Sequence, residues 1–161
     1  MTTTTLTATR PWVDHKRYLW LLSPAIPVLA LGTFALYQST AEAVYAWGGW
    51  ILLYGIIPAL DWIVGPDHVN APESAVSGLD ADRYYRWIVY AFIPTQFAVT
   101  VWGAWLLATM HPDWWVALGL ALTVGSVNGI AINTAHELGH KTNKLERWLA
   151  KITLAPVAYG H

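Results

Sequence analysis

The sequence predicts an all-α fold: an integral membrane helical bundle of four transmembrane helices in two hairpins, with both termini cytoplasmic. Three observations predict it. Of the 161 residues, 55% are hydrophobic and only 12% charged, and the mean hydropathy is +0.37. An ordinary soluble chain carries about a quarter charged residues, spread along its length. Here the charges fall in blocks, at residues 10–17, 61–86 and 141–151, with long apolar intervals between them. The chain also carries 11 Trp and 8 Tyr, the amphipathic rings that a bilayer protein needs at two interfaces.

Residues 1–17 open on the Thr-rich run Thr2 to Thr9 and are expected to form a disordered cytoplasmic N-terminus. The apolar stretch that follows is too long for the core of a cleavable signal, and no small-residue cleavage site ends it. It is therefore expected to remain as an anchor, and residues 18–161 are read as the bundle. A hydrocarbon core of ~30 Å needs roughly 20 apolar residues in a helix. Four windows meet that need: 18–38, 43–64, 87–108 and 114–134.

Pro24, Pro27, Pro58 and Pro94 lie inside these windows. Membrane helices tolerate proline because neighbouring helices satisfy the freed backbone groups. Asp61 is the one acid inside a window, and it sits near the end of the second. A charge at mid-bilayer costs roughly 2.5–3.5 kcal/mol, which favours that edge position. Arg10, Lys16 and Arg17 precede the first window, Arg83 and Arg86 lie between the second and third, and Lys141, Lys144, Arg147 and Lys151 follow the fourth. The two remaining connections carry no Lys or Arg. All the basic residues thus fall on one side, which the positive-inside rule assigns to the cytoplasm. The polar segment 65–86 joins the two hairpins as a cytoplasmic loop rich in turn residues.

A net charge of -1 makes no electrostatic case for nucleic acid. The absence of Cys excludes disulfides, thiolate zinc sites and iron–sulfur ligation within the chain. A metal here would be held by imidazole, carboxylate or water.

His136-Glu137-Leu138-Gly139-His140 is the most informative stretch. On a helix continuing past the fourth window, residues four apart share one face, about 6 Å apart along the axis. Two imidazoles so placed can ligate one ion, or one each of two neighbouring ions. Glu137 lies about 100° round the helix, as a partner to a ligand, a general base, or a solvated acid. Asn133, three positions before His136, shares roughly its face and is a candidate hydrogen-bond partner to it. Asn133 and Asn128 are read as buried amides that need partners. An HxxxH pair on a soluble helix is more often a surface feature. Its concentration with an acid and a lysine at a membrane edge favours function.

Two metal readings compete. As H-E-x-x-H the motif is the signature of zinc peptidases, in which two histidines hold zinc and the glutamate activates water. That reading needs a third ligand, which His161 or Glu146 would supply. The other is an iron site of the membrane hydroxylase kind, with several histidine clusters around two irons. A third reading, from a different class, is a non-enzymatic helix bundle whose His pair is incidental.

The stretch from Asn128-Gly129-Ile130 through His136-Glu137-Leu138-Gly139-His140-Lys141 resembles the first histidine box of the membrane-bound alkane hydroxylases (alkane 1-monooxygenases). The likeness continues through Arg147-Trp148-Leu149-Ala150-Lys151-Ile152 to Gly160-His161. Upstream, Pro58-Ala59-Leu60-Asp61, Asn70-Ala71-Pro72-Glu73 and Arg83-Tyr84-Tyr85-Arg86 stand where that family has similar residues, with Ala71 in place of a proline. The first window matches only in character.

The resemblance implies the N-terminal part of a non-haem di-iron monooxygenase of the inner membrane. Such an enzyme hydroxylates the terminal methyl of medium-chain alkanes with O2 and electrons from rubredoxin. It makes His136 and His140 iron ligands, with two iron ions completed by histidines not present in this chain. Since two or three histidines cannot enclose two irons, the 161 residues alone are expected to be inactive. The membrane helices and their lipid would offer the alkane an apolar channel, because an alkane can be recognised only by shape and length.

Other residues carry weaker expectations. Trp47, Trp50, Tyr54 and Ile57 recur at helical spacing, with Leu53 on an adjoining face, and are candidates to line that channel; ordinary packing is the plainer account. His161 is a candidate partner near the metal rather than a clear ligand. His15 is read as an interface anchor, His68 as solvated, and His111 as lying on the opposite face of the membrane. The basic residues 141, 144, 147 and 151 suit an acidic electron-transfer partner, although orientation in the membrane accounts for them equally well.

Overall fold

A computed structural model describes residues 12–159, and all its regular structure is helical. A 3-10 turn, Arg17–Leu21, leads into α1 (Leu22–Thr40). Three short helices follow, α2 (Ala43–Ala46), α3 (Gly48–Ile51) and α4 (Ile57–Val64), with a π-helical segment at Leu52–Ile56 between the last two. Then come α5 (Glu73–Ala81), α6 (Arg83–Met110), α7 (Trp114–Gly139), α8 (Lys144–Leu154) and a closing 3-10 turn, Ala155–Val157. The candidate partner His161 lies outside the described residues, as do residues 1–11 of the expected disordered terminus.

Three helices among the described residues are long and apolar enough to cross a membrane: Arg17–Thr40, Arg83–Met110 and Trp114–Gly139. Their ends are fixed by local chemistry. Asp82, Asp113 and Asn143 cap α6, α7 and α8, accepting the backbone N–H of Tyr84 (2.8 Å), Val116 (2.9 Å) and Leu145 (2.9 Å). Left-handed residues close α1 at Ala41 and α6 at His111. Pro94 removes one donor from the interior of α6, and the next residue's hydroxyl, Thr95 Oγ1, bonds the Phe92 carbonyl at 2.7 Å.

The second expected span, residues 43–64, is not one continuous α-helix, and its uninterrupted apolar part is Gly48–Val64. A residue far along the chain interrupts it. In a regular helix the Trp50 N–H would bond the Ala46 carbonyl. Instead the Thr123 hydroxyl of α7 stands between them, donating to the Ala46 carbonyl (3.1 Å) and accepting from the Trp50 N–H (3.3 Å). A side chain inserted into the ladder is a recognised cause of such a break. Farther on, Pro58 has no N–H for the preceding turn, and the ladder is loosened into the π segment.

Tyr18 meets Tyr84 at 6.4 Å and Phe34 meets Trp102 at 6.3 Å between ring centroids, so α1 runs parallel to α6. The connection from α6 to α7 is only residues 111–113, and α7 returns antiparallel, its Asn128 opposite Gln96. The described Lys and Arg residues therefore gather at one end, the end at which α7 finishes. At that end Asp14 accepts hydrogen bonds from Tyr85 Oη (2.5 Å) and Trp20 Nε1 (3.3 Å), and the Arg17 guanidinium lies 4.3 Å over the Tyr84 ring. The Tyr85 hydroxyl holds the Asp14 carboxyl below its usual 3.8. The part of the expected disordered terminus from Asp14 to Arg17 is thus seated on α6.

Buried residues form two clusters. The larger joins α1, α2, α6 and α7 around Phe34, Phe92, Leu106 and Leu120. The smaller packs Ile93 of α6, Ala135 and Leu138 of α7, and Ala150 of α8. Close approach at the other end of the molecule depends on Gly119, since a Cβ there would stand 2.7 Å from the Trp47 indole nitrogen. Gly119→Leu is expected to displace Trp47 and cost about 1–3 kcal/mol, read as a lowered melting temperature in detergent. An unchanged melt would show that the indole has room to move.

Candidate metal centre

The smaller cluster holds the last two turns of α7 by one face. Ala135 and Leu138 are buried against α6 and α8, so the opposite face, carrying His136, Glu137 and His140, is exposed. The i,i+4 spacing then stacks the two imidazoles on that outward face. Their Nε2 atoms lie 3.1 Å apart, with ring centroids 4.5 Å apart and planes at 82°.

That separation can be tested against metal geometry. Two imidazole nitrogens, each roughly 2.0–2.1 Å from one ion and about 90–110° apart, stand about 3–3.5 Å from each other. The observed 3.1 Å fits two ligands on a single ion. It also fits one ring donating its N–H to the other. Of the two arrangements the spacing leaves open, one shared ion is the one this geometry suits. Among the described residues there is no group of three or more His, Asp or Glu arranged to hold a metal. The pair would therefore leave most of an ion's coordination sphere to other groups.

Glu137 is exposed beside the pair, as the helical spacing expects. Asn133 is also exposed, so the expectation that both amides are buried holds only for Asn128. The reason is rotational: Asn128 faces α6 and Asn133 shares the outward face of His136. Asn128 accepts from Gln96 Nε2 at 2.7 Å and donates to Thr100 Oγ1 at 3.0 Å. Gln96 in turn donates to the Thr153 carbonyl of α8 at 3.0 Å.

Glu146, the candidate third ligand of the peptidase reading, is only 2% exposed and turned toward α6. It accepts the Tyr90 hydroxyl at 2.7 Å, and Arg86 Nε lies 3.7 Å away. Its sequence position, three residues after the Asn143 cap, is also that of a capping-box acid. The side chain leaves that role and faces inward, so it does not complete a site with His136 and His140. His111 closes the far end of α6, and α7 rises about 33 Å between its start at Trp114 and His136. His15 and His68 are exposed and belong to no metal cluster.

Around the end of α7, polar contacts link four elements. Lys141 pairs with Asp80 of α5, and the Asp80 carbonyl accepts from Arg86 Nε at 3.1 Å. The Lys141 ammonium holds the Asp80 carboxyl below 3.8. Tyr90, Asp80 and Gln96 escaped the sequence reading, and Arg86 entered it only as a basic loop residue and as part of the family likeness. Gln96 alone carried a local signal, a polar side chain inside an apolar window.

The run of five candidate channel residues crosses the break at Trp47 and the π segment at Leu52–Ile56. Trp47 packs on Trp50 (5.8 Å) and on Trp115 (4.2 Å), and Trp50 packs on Tyr54 (5.6 Å). Leu53 and Ile57 are half-buried, and Tyr54 is exposed.

No family model matches the chain. Among curated proteins it is 43% identical over 155 residues to alkane 1-monooxygenase 1 of Alcanivorax borkumensis, covering 93% of this chain and 37% of that protein. It is 40% identical over 153 residues to alkane 1-monooxygenase of Pseudomonas putida, again covering 93% of this chain and 37% of the relative. With alkane 1-monooxygenase 2 of Pseudomonas aeruginosa it shares 36% identity over 149 residues, 89% of this chain and 38% of the relative. The chain thus spans little more than a third of the length of these relatives. They lend no support to the peptidase reading of the H-E-x-x-H spacing.

Proposed function

We propose, on the premise that this chain is homologous over 93% of its length to part of the alkane 1-monooxygenases, that it forms the N-terminal membrane part of an alkane-hydroxylating oxidoreductase. His136 and His140 are two of its metal ligands, both on one ion of a non-haem di-iron centre. The observation that carries this reading is the convergence of the two Nε2 atoms at 3.1 Å on the exposed face of α7. The remaining ligands come from residues outside this chain, and the complete enzyme is the catalyst.

The four apolar stretches sit in the inner membrane as two hairpins. Their basic end faces the cytoplasm, in line with the positive-inside rule. The metal then lies just beyond the cytoplasmic edge of the bilayer. When bound, the iron pair supplies the activation of O2 that an unactivated C–H bond requires. This chain's own residues do the placing. The packed Ala135–Leu138 face fixes the helix, the spacing aims both imidazoles at one point, and the apolar helices exclude water from the path to it. A medium-chain alkane reaches the metal through the bilayer interior, with Trp47, Trp50, Leu53, Tyr54 and Ile57 as candidate lining. Glu137, Asn133 and His161 are candidate hydrogen-bond partners of the ligands. Rubredoxin delivers electrons from the cytoplasmic side, where Lys144, Arg147 and Lys151 offer an acidic partner a basic face.

The test is metal and product analysis of the complete enzyme. About two irons per chain, with n-octane converted to 1-octanol in the presence of rubredoxin and its reductase, is the expected result. One zinc per chain and no hydroxylation would overturn it.

A further inference from the structure

Among the described residues, three ion pairs tie the segment between α4 and α6 to the rest of the molecule, one of them between Asp82, the cap of α6, and Arg17 at 3.5 Å. Near its start Asp67 pairs with Lys16, ahead of α1. At its end, in α5, Asp80 pairs with Lys141, the residue that follows His140. Asp80 is itself anchored, because its carbonyl accepts from Arg86 Nε of α6 at 3.1 Å. The chain from α6 to α5 to the end of α7 is therefore continuous: Arg86, the Asp80 backbone, the Asp80 carboxylate, Lys141.

The end of α7 needs such a hold. Its last backbone bonds are long, with the His140 N–H reaching the His136 carbonyl at 3.3 Å and the Lys141 N–H reaching the Leu138 carbonyl at 3.2 Å. Ordinary N–H···O distances centre near 2.9–3.0 Å. Gly139 gives this turn the backbone freedom that favours fraying. No left-handed residue closes it, since His140 is right-handed at φ -79. Yet the two imidazoles converge only while the turn stays helical, because convergence depends on the i,i+4 spacing.

We propose that Asp80 is a positioning residue for the His136–His140 pair: by holding Lys141 it keeps the last turn of α7 helical and both Nε2 atoms aimed at one ion. The proposal rests on the reading of the pair as metal ligands. Asp80 touches no ion and acts through the Lys141 side chain on the backbone that carries His140. The Lys16–Asp67 pair is the internal control, a second exposed ion pair on the same segment without a link to α7.

The experiment titrates cobalt(II) into the metal-stripped complete enzyme and follows its visible absorption. Asp80→Asn and Lys141→Met are each expected to weaken cobalt(II) binding about two- to fivefold, the range an exposed ion pair supports. The double variant loses no more than the worse single one, since both remove the same link. Asp80→Glu restores binding, and Asp67→Asn leaves it unchanged. Wild-type affinity in Asp80→Asn, alongside lost binding in His136→Ala, would overturn the positioning role and leave the metal reading standing. An Asp67→Asn loss equal to that of Asp80→Asn would overturn it too, by showing a general effect of the segment. Undiminished binding in His136→Ala would remove the metal reading and this proposal with it.

Discussion

In the complete enzyme, His136→Ala is expected to remove at least half of the bound iron and to lower alkane hydroxylation by more than about a hundredfold. Loss of a group that only orients a metal ligand costs roughly 10–100-fold in affinity or activity, and loss of a ligand itself exceeds that. The 3.1 Å Nε2 separation suits a chelate on one ion, and on that proposed arrangement His140→Ala should match His136→Ala. The double variant should be little worse than either, because residues that act as one unit do not contribute additively. Glu137→Gln separates the neighbouring acid from the ligands: iron content should hold even where turnover falls. Iron assay and gas chromatography of the alcohol product read both effects. Full iron and full turnover in His136→Ala would end the case for this site.

Glu146→Ala is expected to carry the largest stability effect, about 2–3 kcal/mol, from an uncapped Tyr90 hydroxyl and the loss of the Arg86 partner. The figure stays at the lower end for a buried acid because Arg86 is 38% exposed and can turn to water. Glu146→Gln keeps an acceptor for Tyr90 and should cost less than about 1 kcal/mol. The contrast between the two variants isolates the buried acceptor from the charge. Thermal unfolding in detergent reads it, and equal melting of Glu146→Ala and wild type would mean that α8 is held by its apolar face alone. The same residue as a metal ligand would show the opposite pattern, with little change in melting and a loss of metal.

The helices that run unbroken were legible in the chain. The windows 18–38, 87–108 and 114–134 lie within the helical stretches Arg17–Thr40, Arg83–Met110 and Trp114–Gly139. That His136 and His140 share one face was legible as well, since it depends only on 3.6 residues per turn, while the exposure of that face came from the packing of Ala135 and Leu138. Burial of Asn128 but not Asn133 was not legible: both amides sit in the same apolar context, and only the direction of α6 separates them.

What the sequence determined by itself is whatever depends on neighbours a few residues apart: helical periodicity, apolar length, and the clustering of Lys and Arg in particular connections. Only the tertiary structure decided how 43–64 divides, where Glu146 points and what holds Lys141, because each depends on a partner distant in the chain. The Thr123 hydroxyl enters the ladder at Ala46 and Trp50 from α7. Tyr90 and Arg86 draw Glu146 out of a local capping role and into the interior. Asp80 reaches Lys141 only after α6 and α7 have run the length of the bundle and returned. Local pattern sets which backbone groups and side chains need partners, and packing between remote segments sets which partners they find.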